Sequence, residues 1–139
     1  MNKDIVRHGL LLILLALVAG LFVQAMPIPR LGLSAHTIGI LSGVLLIALG
    51  AVWQLFTLGP RQQRVMYWSW VYSSYANWLA CLIGAASGAG QMTPLAAAGS
   101  TGPAFAETVM ALMLSSVVVT SLLAVGLAIY GLRAAGRTN

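Results

Sequence analysis

The chain has 139 residues, 60% of them hydrophobic and only 6% charged, with a mean hydropathy of +0.93. A soluble domain carries about 25% charged residues, so composition excludes one and points to an all-α integral membrane protein. The net charge of +5 does not indicate nucleic acid, because the seven cations are scattered at segment ends and do not cluster on one face.

The first apolar run, Gly9 to Met26, is long enough to cross most of a hydrocarbon core of about 30 Å. Lys3 and Arg7 precede it and Val23-Gln24-Ala25 resembles a cleavage site, yet the run exceeds a signal peptide's apolar region of about 7 to 15 residues. It is expected to be the first helix. Pro27 and Pro29 then break the chain. A second helix is predicted over 35–58, ended by Gly59-Pro60, and a third over 65–86, rich in Trp, Tyr and Ser. Ser87 to Pro103, with four glycines and two prolines, shows no helical period and reads as the long connection. A fourth helix is expected over 104–132.

Residues 1–139 thus read as a single four-transmembrane-helix bundle. Lys3, Arg7, Arg61, Arg64, Arg133 and Arg137 fall on one side of it and Arg30 on the other, which by the positive-inside rule makes both termini cytoplasmic. Gly39 and Gly43 form a GxxxG pair on the face that carries His36, with Gly50 on the same side; this face is expected to meet another helix or a flat cofactor.

Few side chains can do chemistry. His36 stands where a loop enters the second helix and could hold a metal or a proton; an interfacial histidine bonded to the loop is the plainer alternative. On the third helix Tyr67, Trp70, Ser74, Asn77, Cys81, Gly84 and Gly88 recur at spacings of three and four, forming one stripe. Asn77 stands out, because a primary amide in hydrocarbon must find partners, whether a bound group or simply another helix. Counted from Val65 it lies about 18 Å into its helix. His36 and Glu107 enter their helices from the far side, so the three are expected to share one half of the bundle. Glu107 is a candidate catalytic carboxylate, or a helix-start carboxylate held by the dipole. Tyr75 and Trp78 could contact an aromatic substrate, Cys81 reads as a small packing residue, and His8, at the opposite end, should not reach the cluster. There is no P-loop, no GxGxxG after a strand and no clustered Cys and His.

The string Pro29-Arg30-Leu31-Gly32-Leu33-Ser34-Ala35-His36, with Tyr75-Ala76-Asn77-Trp78, resembles the hydroxylaminobenzene mutases. The Arg7-His8-Gly9 opening, the connection from Gly88 to Pro94 and Glu107 extend the likeness over nearly the whole chain. The resemblance implies an intramolecular hydroxyl shift that turns an arylhydroxylamine into an ortho-aminophenol, in a bacterial-type inner membrane. These mutases are similar to styrene oxide isomerases, small four-helix membrane enzymes in which haem b lies between the subunits of a homotrimer. That pattern implies His36 as the axial ligand of the haem iron and Asn77 as the site amide. The residues themselves add Glu107 as a second catalytic candidate, Trp78, Tyr75, Cys81 and Ser42 as candidates for the substrate pocket, and Arg30 as a partner for a haem propionate, with a membrane-flank cation the plainer reading. Ser42 and Cys81 are departures, standing where the styrene oxide isomerases carry Asn and Tyr; the missing phenol argues against epoxide opening. Two readings from other classes compete: a haem-bearing electron carrier, needing a second axial histidine such as a neighbouring subunit's His8, and a non-catalytic assembly subunit. A small multidrug-type transporter is disfavoured, since no carboxylate lies between Gly9 and Met26.

Overall fold

A computed structural model describes residues 1–135, and these are all helix and connection, without strands. The elements are α1 (Lys3–Gly20), α2 (Pro29–Ala51), α3 (Pro60–Ser87), α4 (Pro94–Ala97) and α5 (Ala104–Ala135). Arg137 lies outside the described residues.

Helix ends differ from the sequence expectation for identifiable reasons. α1 begins six residues early because Asn2 caps it, its Oδ1 accepting from the backbone N–H groups of Asp4 and Ile5. It stops at Gly20, and a 3₁₀ turn, Val23–Ala25, carries the chain to the prolines. Pro29 and Pro60 begin α2 and α3, since a proline at the first helical position loses no hydrogen bond. Prolines expected to separate helices thus also start them. Gln62 Oε1 accepts from the Gly59 N–H to close the start of α3, and Gly88, at φ 77°, ends it in the left-handed region. The connection after α3, expected to have no helix, contains the single turn α4.

Successive long helices run antiparallel. α1 lies along α2, α2 along α3 and α3 along α5, whereas α1 touches α3 lightly and is not packed on α5. Small residues set the α1–α2 contact. A methyl group on Gly43 would meet the Gly9 carbonyl oxygen at 2.6 Å, one on Gly9 would meet the Gly43 carbonyl at 2.5 Å, and one on Gly39 would meet the Ala16 Cβ at 2.5 Å. Gly50 likewise receives Val6 and the Asn2 backbone. The face of Gly39, Gly43 and Gly50 therefore meets another helix, α1.

Backbone bonds tie the ends. The Asn2 N–H donates to the Gly50 carbonyl at 2.8 Å, and Thr57 donates to the Gly131 carbonyl through both its N–H and its Oγ1. These contacts gather Lys3, Arg7, Arg61, Arg64 and Arg133 at one end of the bundle. At the other, which carries Arg30, the Ile28 N–H donates to the Ala85 carbonyl. Pro29–Ala51 and Ala104–Arg133 are each long and apolar enough to cross a membrane.

A Cβ at position 43 must push against backbone, whereas one at Gly126 has nothing within 4 Å. Gly43→Ala is expected to destabilise the bundle by about 1–3 kcal/mol. Gly126→Ala should leave the thermal midpoint unchanged or slightly raised, as read by heating the two detergent-solubilised variants beside the parent.

Candidate functional site

His36 lies two turns into α2, half-buried, with its ring against α1. Nδ1 stands 2.8 Å from the Ala16 carbonyl oxygen. A carbonyl can only accept, so Nδ1 carries the proton and donates it, which leaves the lone pair of a neutral imidazole on Nε2. Gly20 makes this possible: a Cβ there would fall on His36 Nδ1 and within 2.7 Å of Cε1. The ring occupies the notch that Gly20 leaves empty. A metal-binding histidine needs such a partner on its other nitrogen to set tautomer and ring direction. The geometry therefore fits a ligand role for His36 through Nε2. Arg30 is exposed in the first turn of the same helix.

One turn beyond His36, at Gly39, the neighbour is Trp78. Its Cδ1 would lie 2.7 Å from a Cβ at Gly39, and its Nε1, in a side chain only 8% exposed, has no hydrogen-bond partner. Next to it Asn77 is half-buried among buried neighbours on α3, including Ser74 and Cys81. The interhelical side-chain hydrogen bonds run through His36, Tyr72 and Tyr75 and leave the Asn77 amide uncommitted among the described residues. Because α3 begins at Pro60, Asn77 is 77 − 60 = 17 residues in, about 25 Å, deeper than a start at Val65 implied. Ser42 is half-buried on α2.

Tyr75 turns away from this region. Its hydroxyl donates to the His8 carbonyl at 3.1 Å and its ring meets the His8 imidazole edge-on at 5.8 Å; Tyr67 meets the same imidazole at 6.3 Å. His8 thus belongs to an aromatic cluster at the cation-rich end.

Glu107, 7% exposed in the first turn of α5, has both oxygens engaged by the α3–α5 connection. Oε1 accepts from the N–H groups of Gly90 and Gly102, each at 2.9 Å, and Oε2 accepts from that of Gln91 at 3.1 Å. A glycine-rich loop has no regular partners for its buried N–H groups, and one carboxylate supplies three acceptor bonds. No hydrogen bond joins His36, Asn77 and Glu107 to one another among the described residues. Glu107 sits on the α3–α5 side of the bundle, whereas His36 faces α1. Sequence reasoning missed Gly20 and the Ala16 carbonyl; a glycine in the last turn of a helix was the available signal, while a backbone acceptor leaves none.

Two substitutions test these contacts. In a His8→Gln background, which leaves one imidazole, Gly20→Ala should displace the ring and change the ¹⁵N shifts of His36 from the Nδ1–H pattern of the parent. Glu107→Gln puts an amide NH₂ among N–H donors, so thermal unfolding should show a loss of about 1–3 kcal/mol.

Comparison with known proteins places the chain. The styrene oxide isomerase family matches residues 1–133. Hydroxylaminobenzene mutase HabB of Ectopseudomonas oleovorans is 41% identical over 134 residues, covering 96% of this chain and 82% of that protein. Hydroxylaminobenzene mutase HabA of the same organism is 35% identical over 119 residues, covering 85% and 88%. No solved structure matches. With a family match that spans nearly its whole length and two mutases among its relatives, the chain belongs to the styrene oxide isomerase family and is an isomerase.

Proposed function

We propose that this isomerase converts an arylhydroxylamine, such as hydroxylaminobenzene, to the ortho-aminophenol. The observation that carries the reading is the 41% identity to a hydroxylaminobenzene mutase over 96% of the chain. In the reaction the N–O bond breaks and a C–O bond forms at the ortho carbon; the proton lost from that carbon balances the one gained at nitrogen. No electrons are exchanged with an outside reagent.

His36 is the residue we assign to a haem b, through Nε2, with Arg30 placed to pair with a carboxylate of the same group. Haem iron, when bound, would supply a Lewis acid that weakens an N–O bond. The support in this chain is the Nδ1–H bond to Ala16, which leaves Nε2 as the lone-pair nitrogen. Asn77, with an uncommitted amide, would orient the hydroxylamine by donating to oxygen and accepting from N–H. Trp78 and Cys81, both buried, would form the apolar side of the pocket, with Ser42 on the facing helix. An enclosed pocket favours return of the hydroxyl to the ring over attack by water. Glu107 we read as the anchor of the connection, because both its oxygens are taken by backbone N–H groups.

We further propose that all four long helices cross a bacterial-type inner membrane, with both termini cytoplasmic and the haem between the subunits of a homotrimer. The clustering of cations at one end and the two strongly apolar helices support the membrane arrangement. The position of His36 at the open edge of the α1–α2 pair, beside exposed Leu33 and Thr37, supports an intersubunit haem.

One experiment tests this reading. Purified parent, His36→Ala and Asn77→Ala proteins are compared by optical spectrum, then given hydroxylaminobenzene in ¹⁸O-labelled water. The parent should show a Soret band and yield 2-aminophenol without label. His36→Ala should lose the band and turnover, and Asn77→Ala should keep the band with turnover lowered about ten- to a hundredfold. Label in the ring hydroxyl would overturn the intramolecular route, and a Soret band that survives His36→Ala would overturn the ligand assignment.

A further inference from the structure

Because α1 packs along α2 and touches α3 only lightly, while α5 packs along α3 and not on α1, α3 is left as the floor of a groove between α1 and α5. The groove is a cavity of about 440 Å³ running from Trp68 to Leu79 on α3, about 16 Å along the axis, with Leu11 of α1 and Met113 of α5 as its walls. Its lining is almost wholly apolar, and Trp68 is 58% exposed in it. Two further cavities adjoin it toward its cation-rich end. One shares His8 and Leu11 with it and reaches Arg7; the other shares Trp68 and Tyr72 with it and reaches Arg64. Lys3 and Arg61 are exposed nearby in the opening turns of the same two helices. Against these four cations stands one carboxylate, Asp4, whose contact with Arg7, at 3.5 Å between two well-exposed side chains, leaves the guanidinium accessible.

We infer that this groove is a binding site for an anionic phospholipid, with an acyl chain along Trp68, Tyr72 and Leu79 and the phosphate between Arg7 and Arg64. This rests on the membrane reading above. An aliphatic chain matches the apolar floor, and a phosphate matches guanidinium groups at only one end. A zwitterionic lipid would leave that charge uncompensated. Basic side chains at a membrane surface attract anionic lipid by roughly fivefold each. The site is separate from His36, which lies on the far side of α1 and near the opposite end of the bundle.

Trp68 provides the probe. The full-length protein is reconstituted in phosphatidylcholine vesicles containing a minor fraction of phosphatidylglycerol brominated on its acyl chains, or the same fraction of brominated phosphatidylcholine, and tryptophan quenching is compared. Brominated phosphatidylglycerol should quench the parent more strongly. The excess should vanish in Trp68→Phe and in the double variant Arg7→Gln/Arg64→Gln, and persist in Arg30→Gln, whose cation is at the other end. Equal quenching by the two lipids overturns the proposal, as does a preference that survives the double variant. A protein that enters neither kind of vesicle overturns the membrane reading and this site with it.

Discussion

Everything near His36 depends on how closely the backbones of α1 and α2 approach. At Gly9 and Gly43 each backbone presses into the space a side chain of the other would need, and Ala16 against Gly39 continues the contact toward the Arg30 end. Helices in an apolar solvent gain no hydrophobic drive from packing together, so contact of this kind must come from van der Waals fit and short-range polar interactions. The same closeness brings a helical carbonyl, that of Ala16, within 2.8 Å of an imidazole on the neighbouring helix. If the pair separated by the width of one methyl group, His36 would lose both its acceptor and its notch.

The other long helices obey a different logic. α3 is buried along one side by α2 and α5 and carries most of the buried polar residues, including Ser69, Ser73 and Ser74. Ser73 returns its hydroxyl to the Trp70 carbonyl, so that hydroxyl costs little when buried. Tyr72, bonded to Ser116 at 2.7 Å, ties α3 to α5 from the groove side. The middle position of α3 has a consequence for chemistry and surface alike. Its inner face holds Asn77, Trp78 and Cys81, while its outer face is the aromatic floor between α1 and α5.

Glu107 shows how one charged group can organise a segment with no regular structure. Three backbone N–H groups from either end of the α3–α5 connection meet at one carboxylate, and Gly102, Ala89 and Gly90 pack too closely for larger residues. The loop is thereby held to the first turn of the helix it leads into. A buried carboxylate with fewer acceptor bonds would be costly in so apolar a chain.

Composition and helical period sufficed to read an all-helical chain, the order of its long helices and the suspicion that rests on His36 and Asn77, because burial in an apolar medium leaves so few polar side chains to choose among. The GxxxG face of α2 was also legible, though not its partner, since small residues announce a close approach without naming what approaches. Caps and prolines moved the helix ends: Asn2, Pro29 and Pro60 start helices earlier than hydropathy does, because the Asn2 side chain satisfies first-turn N–H groups and a proline's fixed φ suits the first helical position. Only the tertiary structure decided that Tyr75 joins His8, that Glu107 anchors a loop and that Gly20 shapes the seat of His36. The first two rest on a backbone carbonyl and on backbone N–H groups, which every residue type shares, and the third on a glycine, which signals a close approach without naming what fills the space.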